Sequence, residues 1–167
     1  MKIKAKLTLV LTILFIAVCM LSACSDPEDK VFSKAGMRIT LTDEFYENAY
    51  YNITAHYEMG DEDVTVAATK EEFSMIIAAG DEIPESAEAY AALIMEDNDI
   101  AADILTTDDG IVYFTFKRTP YDIEYVYYAA VFETDNAFWL FQFGCEAEEE
   151  NAYKDRFIKW MRSIQFE

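Results

Sequence analysis

Apolar and polar residues alternate with a period of two along much of this chain, most clearly between residues 50 and 59. Tyr51, Ile53, Ala55, Tyr57 and Met59 alternate there with Tyr50, Asn52, Thr54, His56 and Glu58, which predicts a strand with one buried and one wet face. Val64, Val66 and Ala68 repeat the pattern after the acidic turn Asp61-Glu62-Asp63, so the two runs should pair as a hairpin. Residues 31–35 and 37–41 read as a smaller hairpin turning at Gly36, followed by a short helix that Thr42 would cap through its hydroxyl. Further strands are predicted over 101–106, 111–118, 123–133 and 137–145. The breaks between the later ones, Asp108-Asp109-Gly110, Thr119-Pro120 and Asp135-Asn136, are too short for parallel crossovers, so these strands should be antiparallel.

Two stretches switch to helical spacing. Residues 86–98 place Tyr90, Leu93 and Ile94 on one stripe, with Ser86 as cap and Glu88 in the first turn. Residues 148–163 put Tyr153, Phe157, Trp160, Met161 and Ile164 on one face. Glu148, Glu149 and Glu150 at the start of that helix, and Lys159 and Arg162 at its end, suit the helix dipole. The fold class is therefore α+β, a central antiparallel sheet of about six strands flanked by helices.

The amino terminus follows a different pattern. Lys2, Lys4 and Lys6 precede an apolar run over 7–21, and Leu21-Ser22-Ala23-Cys24 follows. This is the order of a signal peptide, and the last four residues resemble the lipobox of bacterial lipoproteins. A membrane span needs about 20 apolar residues; this run is shorter and contains Thr8 and Thr12. The resemblance implies cleavage before Cys24, diacylglycerol on its sulfur, and attachment to the extracytoplasmic face of the cell membrane. The chain then divides into a signal peptide over 1–23, the lipidated cysteine with a tether over 24–30, and one domain over 31–167. Such a tether reaches at most about 20 Å, so whatever the domain binds lies near the membrane. Cys19 would leave with the signal and Cys24 would carry lipid. Cys145 then has no disulfide partner, and burial is its expected state.

Charge narrows the partners. The sequence holds 13 Lys plus Arg against 32 Asp plus Glu; without the three signal lysines, 10 against 32 remain, a net charge of −22. That excludes nucleic acid as an expected partner. It leaves a self-repelling, soluble surface, a basic protein partner or divalent cations.

Phe32, Ala35-Gly36-Met37, Ile39, Leu41 and Phe45 near the start of the domain, with Phe157-Ile158, Trp160 and Ser163-Ile164 at its end, resemble the PsbP-like group. The resemblance implies an α/β/α sandwich and a binding or assembly role, not catalysis. Metal-site residues of plant members find no match here, so no metal ligand is assigned.

Candidate chemistry is sparse. His56 is the single histidine, on the polar side of its strand beside Glu58, and no Gly-x-Ser-x-Gly turn accompanies it. One histidine and one free cysteine cannot build a zinc cage. Calcium is the one cofactor worth weighing, at Asp61-Glu62-Asp63, Asp97-Asn98-Asp99 or Asp108-Asp109-Gly110. None has EF-hand spacing, and ordinary turn chemistry accounts for all three. Aromatic residues make up 15% of the chain; Phe114, Phe116, Phe132, Phe141 and Phe143 read as core. Tyr50 and the group Tyr121, Tyr125, Tyr127 and Tyr128 are suggestive, and Tyr50, Tyr121, Tyr125 and Tyr128 are the candidate partner-binding residues, because exposed tyrosine joins a large apolar ring to a hydrogen-bonding tip. Two functions follow as expectations: a membrane-tethered, non-enzymatic interaction or assembly module, or a receptor for a small ligand, a glycan or calcium. No catalytic residue is assigned.

Overall fold

A computed structural model describes residues 27–60 and 64–167. The expected signal peptide, Cys24 and the expected turn at Asp61-Glu62-Asp63 lie outside the described residues, as does the side chain of Tyr121. Strands β1 (Asp29–Lys34) and β2 (Met37–Thr42) pair antiparallel, with Phe32 opposite Ile39. Both residues of their turn, Ala35 and Gly36, have positive φ, 52° and 88°. This backbone matches the twist of a tight hairpin. The two-residue strand β10 (Gln165–Phe166) adds to β2 and completes a three-stranded sheet.

The larger sheet has seven strands: β3 (Phe45–Asn48), β4 (Ala55–Met59), β5 (Val64–Glu72), β6 (Leu105–Thr106), β7 (Val112–Arg118), β8 (Tyr125–Glu133) and β9 (Ala137–Glu146). Their order is β3-β4-β5-β9-β8-β7-β6, and every neighbouring pair is antiparallel. The predicted hairpin of Ala55–Met59 with Val64–Ala68 is present, pairing Tyr57 with Val66. Helices α1 (Phe73–Ala79) and α2 (Ala87–Asp97) cover part of one face. The small sheet and α3 (Glu150–Arg162) cover the other. The α+β class, with helices on both faces of an antiparallel sheet, is thus the observed one.

Each face has its own core. Strand β9 supplies both by alternation: Trp139, Phe141, Phe143 and Cys145 point to the α3 side, Phe138 and Leu140 to the α1–α2 side. The α3 stripe of Tyr153, Phe157, Trp160 and Met161 is buried as its spacing predicts. Each such large side chain contributes about 1.5–3 kcal/mol on burial. Ser86 caps α2 by accepting a hydrogen bond from the Ala89 amide at 3.2 Å.

Three local expectations need correction, and one helix was not expected at all. The segment after β2 is strand β3, not a helix capped by Thr42. Phe45 is driven inward to meet Trp160 edge-on at 5.2 Å, and the Thr42 hydroxyl instead donates to Glu44. The alternation over 50–59 overstates the strand, which begins at Ala55; Asn52 has φ 65° and turns the chain before it. Helix α1 has no counterpart in the sequence pattern, since its seven residues bury Ile76 alone and give no stripe. Residues 101–106 hold only the two-residue β6, both residues exposed.

Candidate functional site

The strand register assembles a site on the α1–α2 side of the large sheet, beyond the reach of those helices. Across the strands, Tyr46 lies opposite Glu58, Glu58 opposite Thr65, Thr65 opposite Gly144, and Gly144 opposite Tyr127. The next row on that face runs from His56 through Ala67 and Gln142 to Ala129. Residues two apart on a strand share a face, so Tyr125 joins Tyr127, their rings stacked at 6.3 Å. The result is an open groove of about 630 Å³. Its floor is Thr65, Ala67 and Gln142; Tyr46, Tyr50, His56 and Glu58 form one wall, Tyr125 and Tyr127 the other. None of its lining residues belongs to α1, α2 or α3.

Glu58 organises the first wall. Its Oε2 accepts from the Tyr46 hydroxyl at 3.0 Å and the Asn48 amide at 3.1 Å; its Oε1 accepts from the Tyr50 hydroxyl at 2.8 Å. Partial burial alone would raise the Glu58 pKa, but these three hydrogen bonds and nearby His56 outweigh it and hold the carboxyl below its ordinary value. The same bonds raise the pKa of Tyr46 and Tyr50. His56 lies edge-on to Tyr50, ring centres 4.4 Å apart. Its Nδ1 is 3.4 Å from Glu58 Oε1 but is not aligned for a hydrogen bond, and it has no hydrogen-bond partner. Burial lowers the His56 pKa and Glu58 raises it, with burial prevailing. At neutral pH the described residues of the groove therefore contribute a neutral imidazole and one negative charge, Glu58.

The opposite wall depends on a missing side chain. A Cβ at Gly144 would sit 2.7 Å from Tyr127 Cε1 and 2.9 Å from Cδ1, so glycine is what lets that ring lie down across the sheet. Among the described residues, neither the Tyr127 hydroxyl nor the Gln142 amide has a hydrogen-bond partner within the chain, and both line the groove. A second recess of about 420 Å³, between α2 and the sheet, shares Tyr127 and Gln142 with the groove and extends to Phe116 and Arg118.

The structure brings Tyr50 and Tyr125 to this groove, Tyr50 from the β3–β4 connection and not from a strand. It does not bring Tyr128, which faces α3: its ring packs on Phe157 at 5.4 Å, and its hydroxyl donates to Glu150 at 2.9 Å. One step along β8 reverses the face. Tyr127, one of the suggestive tyrosines, does line the groove, whereas Tyr46, Gly144 and Gln142 are site residues that the sequence pattern did not single out. Gln142 did leave a signal, as the lone polar residue between Ala137 and Gly144.

The other candidates have structural occupations. Arg162 pairs with both Asp108 and Asp109, with Nε 3.2 Å from Asp109, fastening α3 to the β6–β7 turn. Asn98 caps its own helix by donating to the Ile94 carbonyl at 2.8 Å. Cys145 is fully buried, its thiol pushed up to about 11 by burial and then by the neighbouring glutamates. Among the described residues, no three His, Cys, Asp or Glu side chains are grouped to hold a metal. No helix among them is long and apolar enough to cross a membrane.

Solved structures decide the fold. The solution structure of cyanobacterial PsbP (CyanoP) from Synechocystis sp. PCC 6803 superposes with a TM-score of 0.52 at 12% identity, over 87% of this chain and 96% of that one. The chain has a PsbP/Mog1-like fold. A point mutant of the protein Mog1 gives a TM-score of 0.55 at 6% identity, over 85% of this chain and 96% of that one. A crystal structure from Bacteroides thetaiotaomicron gives 0.53 at 9%, over 86% of this chain and 49% of that one. At these identities the likeness concerns architecture alone. No family model matches the sequence, and no curated protein matches it either.

Proposed function

We propose that this protein is a lipid-anchored, extracytoplasmic binding module that docks a membrane-proximal protein in the tyrosine-walled groove, without catalysing a reaction. The observation that carries the reading is the groove itself: a PsbP/Mog1-like sheet face left bare of helices, with Tyr46, Tyr50, Tyr125 and Tyr127 around it and two polar tips, Tyr127 and Gln142, without partners among the described residues. Exposed tyrosine supplies large contact area at small entropic cost, and unpaired polar groups orient what binds. The sequence at Leu21-Ser22-Ala23-Cys24 supports the anchor.

The test is in-cell photo-cross-linking, with the reactive group placed in turn at Tyr50, Tyr127 and the exposed Glu88 on α2. One dominant neighbour captured from both groove positions, absent at Glu88 and lost in Cys24→Ala, is the expected result. The same diffuse set from all three positions would sink the proposal. A second reading, a receptor for a small ligand or glycan, draws on the groove volume of about 630 Å³, which lies within the range of small-molecule sites. A glycan panel that raises the melting temperature would favour it.

A further inference from the structure

We infer that the occupant of the groove presents a lysine or arginine side chain to Glu58, with its aliphatic stem against Tyr46 and Tyr50 and its adjoining backbone amides within reach of Gln142 and Tyr127. This rests on the docking reading above and states what the partner segment must carry.

Among the described residues, Glu58 is the only side chain with a formal charge that lines the groove. Its three hydrogen-bond donors, Tyr46, Asn48 and Tyr50, are all neutral. Among the described residues no Lys or Arg side chain pairs with it; His56 is the one titratable base at hand, 3.4 Å away, and burial keeps it neutral. An anchored carboxylate without a cationic partner, beside aromatic rings, matches what ammonium and guanidinium groups seek: a countercharge and ring faces at once. A carboxylate offers about four acceptor positions, and three are used. The Glu58 side chain keeps 21% of its exposure, so the remaining position is reachable from the groove.

The long-range field points the same way. With 32 acidic against 13 basic residues, the protein attracts cationic segments and repels anionic ones before contact. Four surface acids, Glu47, Glu124, Asp29 and Asp108, are engaged by Lys34, Lys117, Lys159 and Arg162; what sets Glu58 apart from the other carboxylates is that tyrosine hydroxyls hold it in place inside an aromatic groove. The unpartnered tips of Gln142, on the floor, and Tyr127, on the opposite wall from Glu58, suit a peptide backbone, which brings both a donor and an acceptor.

The experiment uses the full-length protein in detergent and two end-blocked pentapeptides. One is Thr-Val-Lys-Val-Thr, the other the same peptide with acetyl-lysine, which keeps the stem and removes the charge. Titration is followed by NMR of the tyrosine rings. The lysine peptide should shift the Tyr46, Tyr50 and Tyr127 resonances and bind at least tenfold tighter than its acetylated form. Glu58→Gln, which retains an acceptor for the tyrosines, should abolish that ratio, whereas Glu88→Gln on the surface of α2 should keep it. Repeating the wild-type titration in 0.5 M salt guards against a folding defect in the Glu58 variant, because the ratio should shrink there too. Equal groove shifts from both peptides would overturn the cationic occupant and leave the docking groove standing. A tenfold ratio that survives Glu58→Gln would overturn it as well, placing the charge elsewhere. Absence of groove shifts with either peptide would overturn both.

Discussion

Replacing Gly144 with alanine isolates the contact that shapes one wall of the groove. The backbone permits the change, since Gly144 is not among the positive-φ residues. Considered alone, a compatible Gly→Ala replacement stabilises by about 0.4–1 kcal/mol through the unfolded chain. Against this, the new methyl group would lie 2.7 and 2.9 Å from two Tyr127 ring carbons and 3.2 Å from Thr65 Oγ1. Overpacking of this kind costs about 1–3 kcal/mol when neighbours are held. Tyr127 is only half-buried, so its ring swings outward and the cost falls at the low end. A net loss of about 0.5 kcal/mol is expected in the wild-type background, the low-end cost of about 1 less the gain of about 0.5. In Tyr127→Ala the ring collision is gone, and the same Gly144→Ala change should gain about 0.5 kcal/mol. The coupling between the two sites is then about 1 kcal/mol, above the few tenths expected for independent positions. Urea unfolding followed through Trp139 and Trp160, both buried, reads all four corners of the cycle, with equal m-values as the check on two-state behaviour. Identical effects of Gly144→Ala in both backgrounds would refute the claim that this glycine exists to seat Tyr127.

Titration, thiol reactivity and hydrogen exchange test the rest of the fold. The unfolded chain protonates His56 near pH 6.5 and the folded chain only at lower pH, so acidification through that interval costs stability; Glu58, depressed from 4.5, adds to stability above 4.5 and loses that contribution as pH falls through its folded value. Relief of net negative charge acts oppositely, so the readout is the difference between wild type and His56→Gln in urea midpoints from pH 7.5 to 5, and parallel curves would contradict the assignment. Cys145, buried and with its thiol pushed up to about 11, should take up iodoacetamide only in denaturant, as located by peptide mass, and labelling of the native protein would show the strand end to be open. Arg162→Ala should cost under about 1 kcal/mol, as exposed pairs do, yet raise hydrogen exchange through the Asp108–Asp109 turn that Arg162 ties down; unchanged exchange there would make the pairs ornamental.

The strands and the two longer helices were legible because their patterns repeat over several residues. Ala55, Tyr57 and Met59 continue a period of two, and Tyr153, Phe157 and Trp160 a helical one, so each buried side chain predicts the next. Short elements gave no such redundancy. In β3 only Phe45 is buried, and in α1 only Ile76; one apolar residue has no period, and tertiary packing decided both segments. Tyr50 shows the opposite failure, where an alternation continued by chance into a loop. The small sheet was half legible, because its hairpin is local whereas β10 pairs with β2 from the far end of the chain.

The groove was harder to read for a reason that lies in sheet geometry. Its residues come from five strands and the loops beside them, and they meet only because the register places Glu58 opposite Thr65, Thr65 opposite Gly144 and Gly144 opposite Tyr127. A shift of one residue on β8 would exchange Tyr127 for Tyr128, so a list of tyrosines cannot say which belong together. The usable signal was the departure from pattern on β9: Gln142 and Gly144 interrupt an otherwise apolar run from Ala137 to Cys145, on the very face where α1 and α2 stop. A buried central strand has little reason to carry an amide and a glycine two residues apart unless something approaches the sheet there. That local inconsistency, more than the surplus of tyrosine, marks the part of the sheet that the helices leave uncovered.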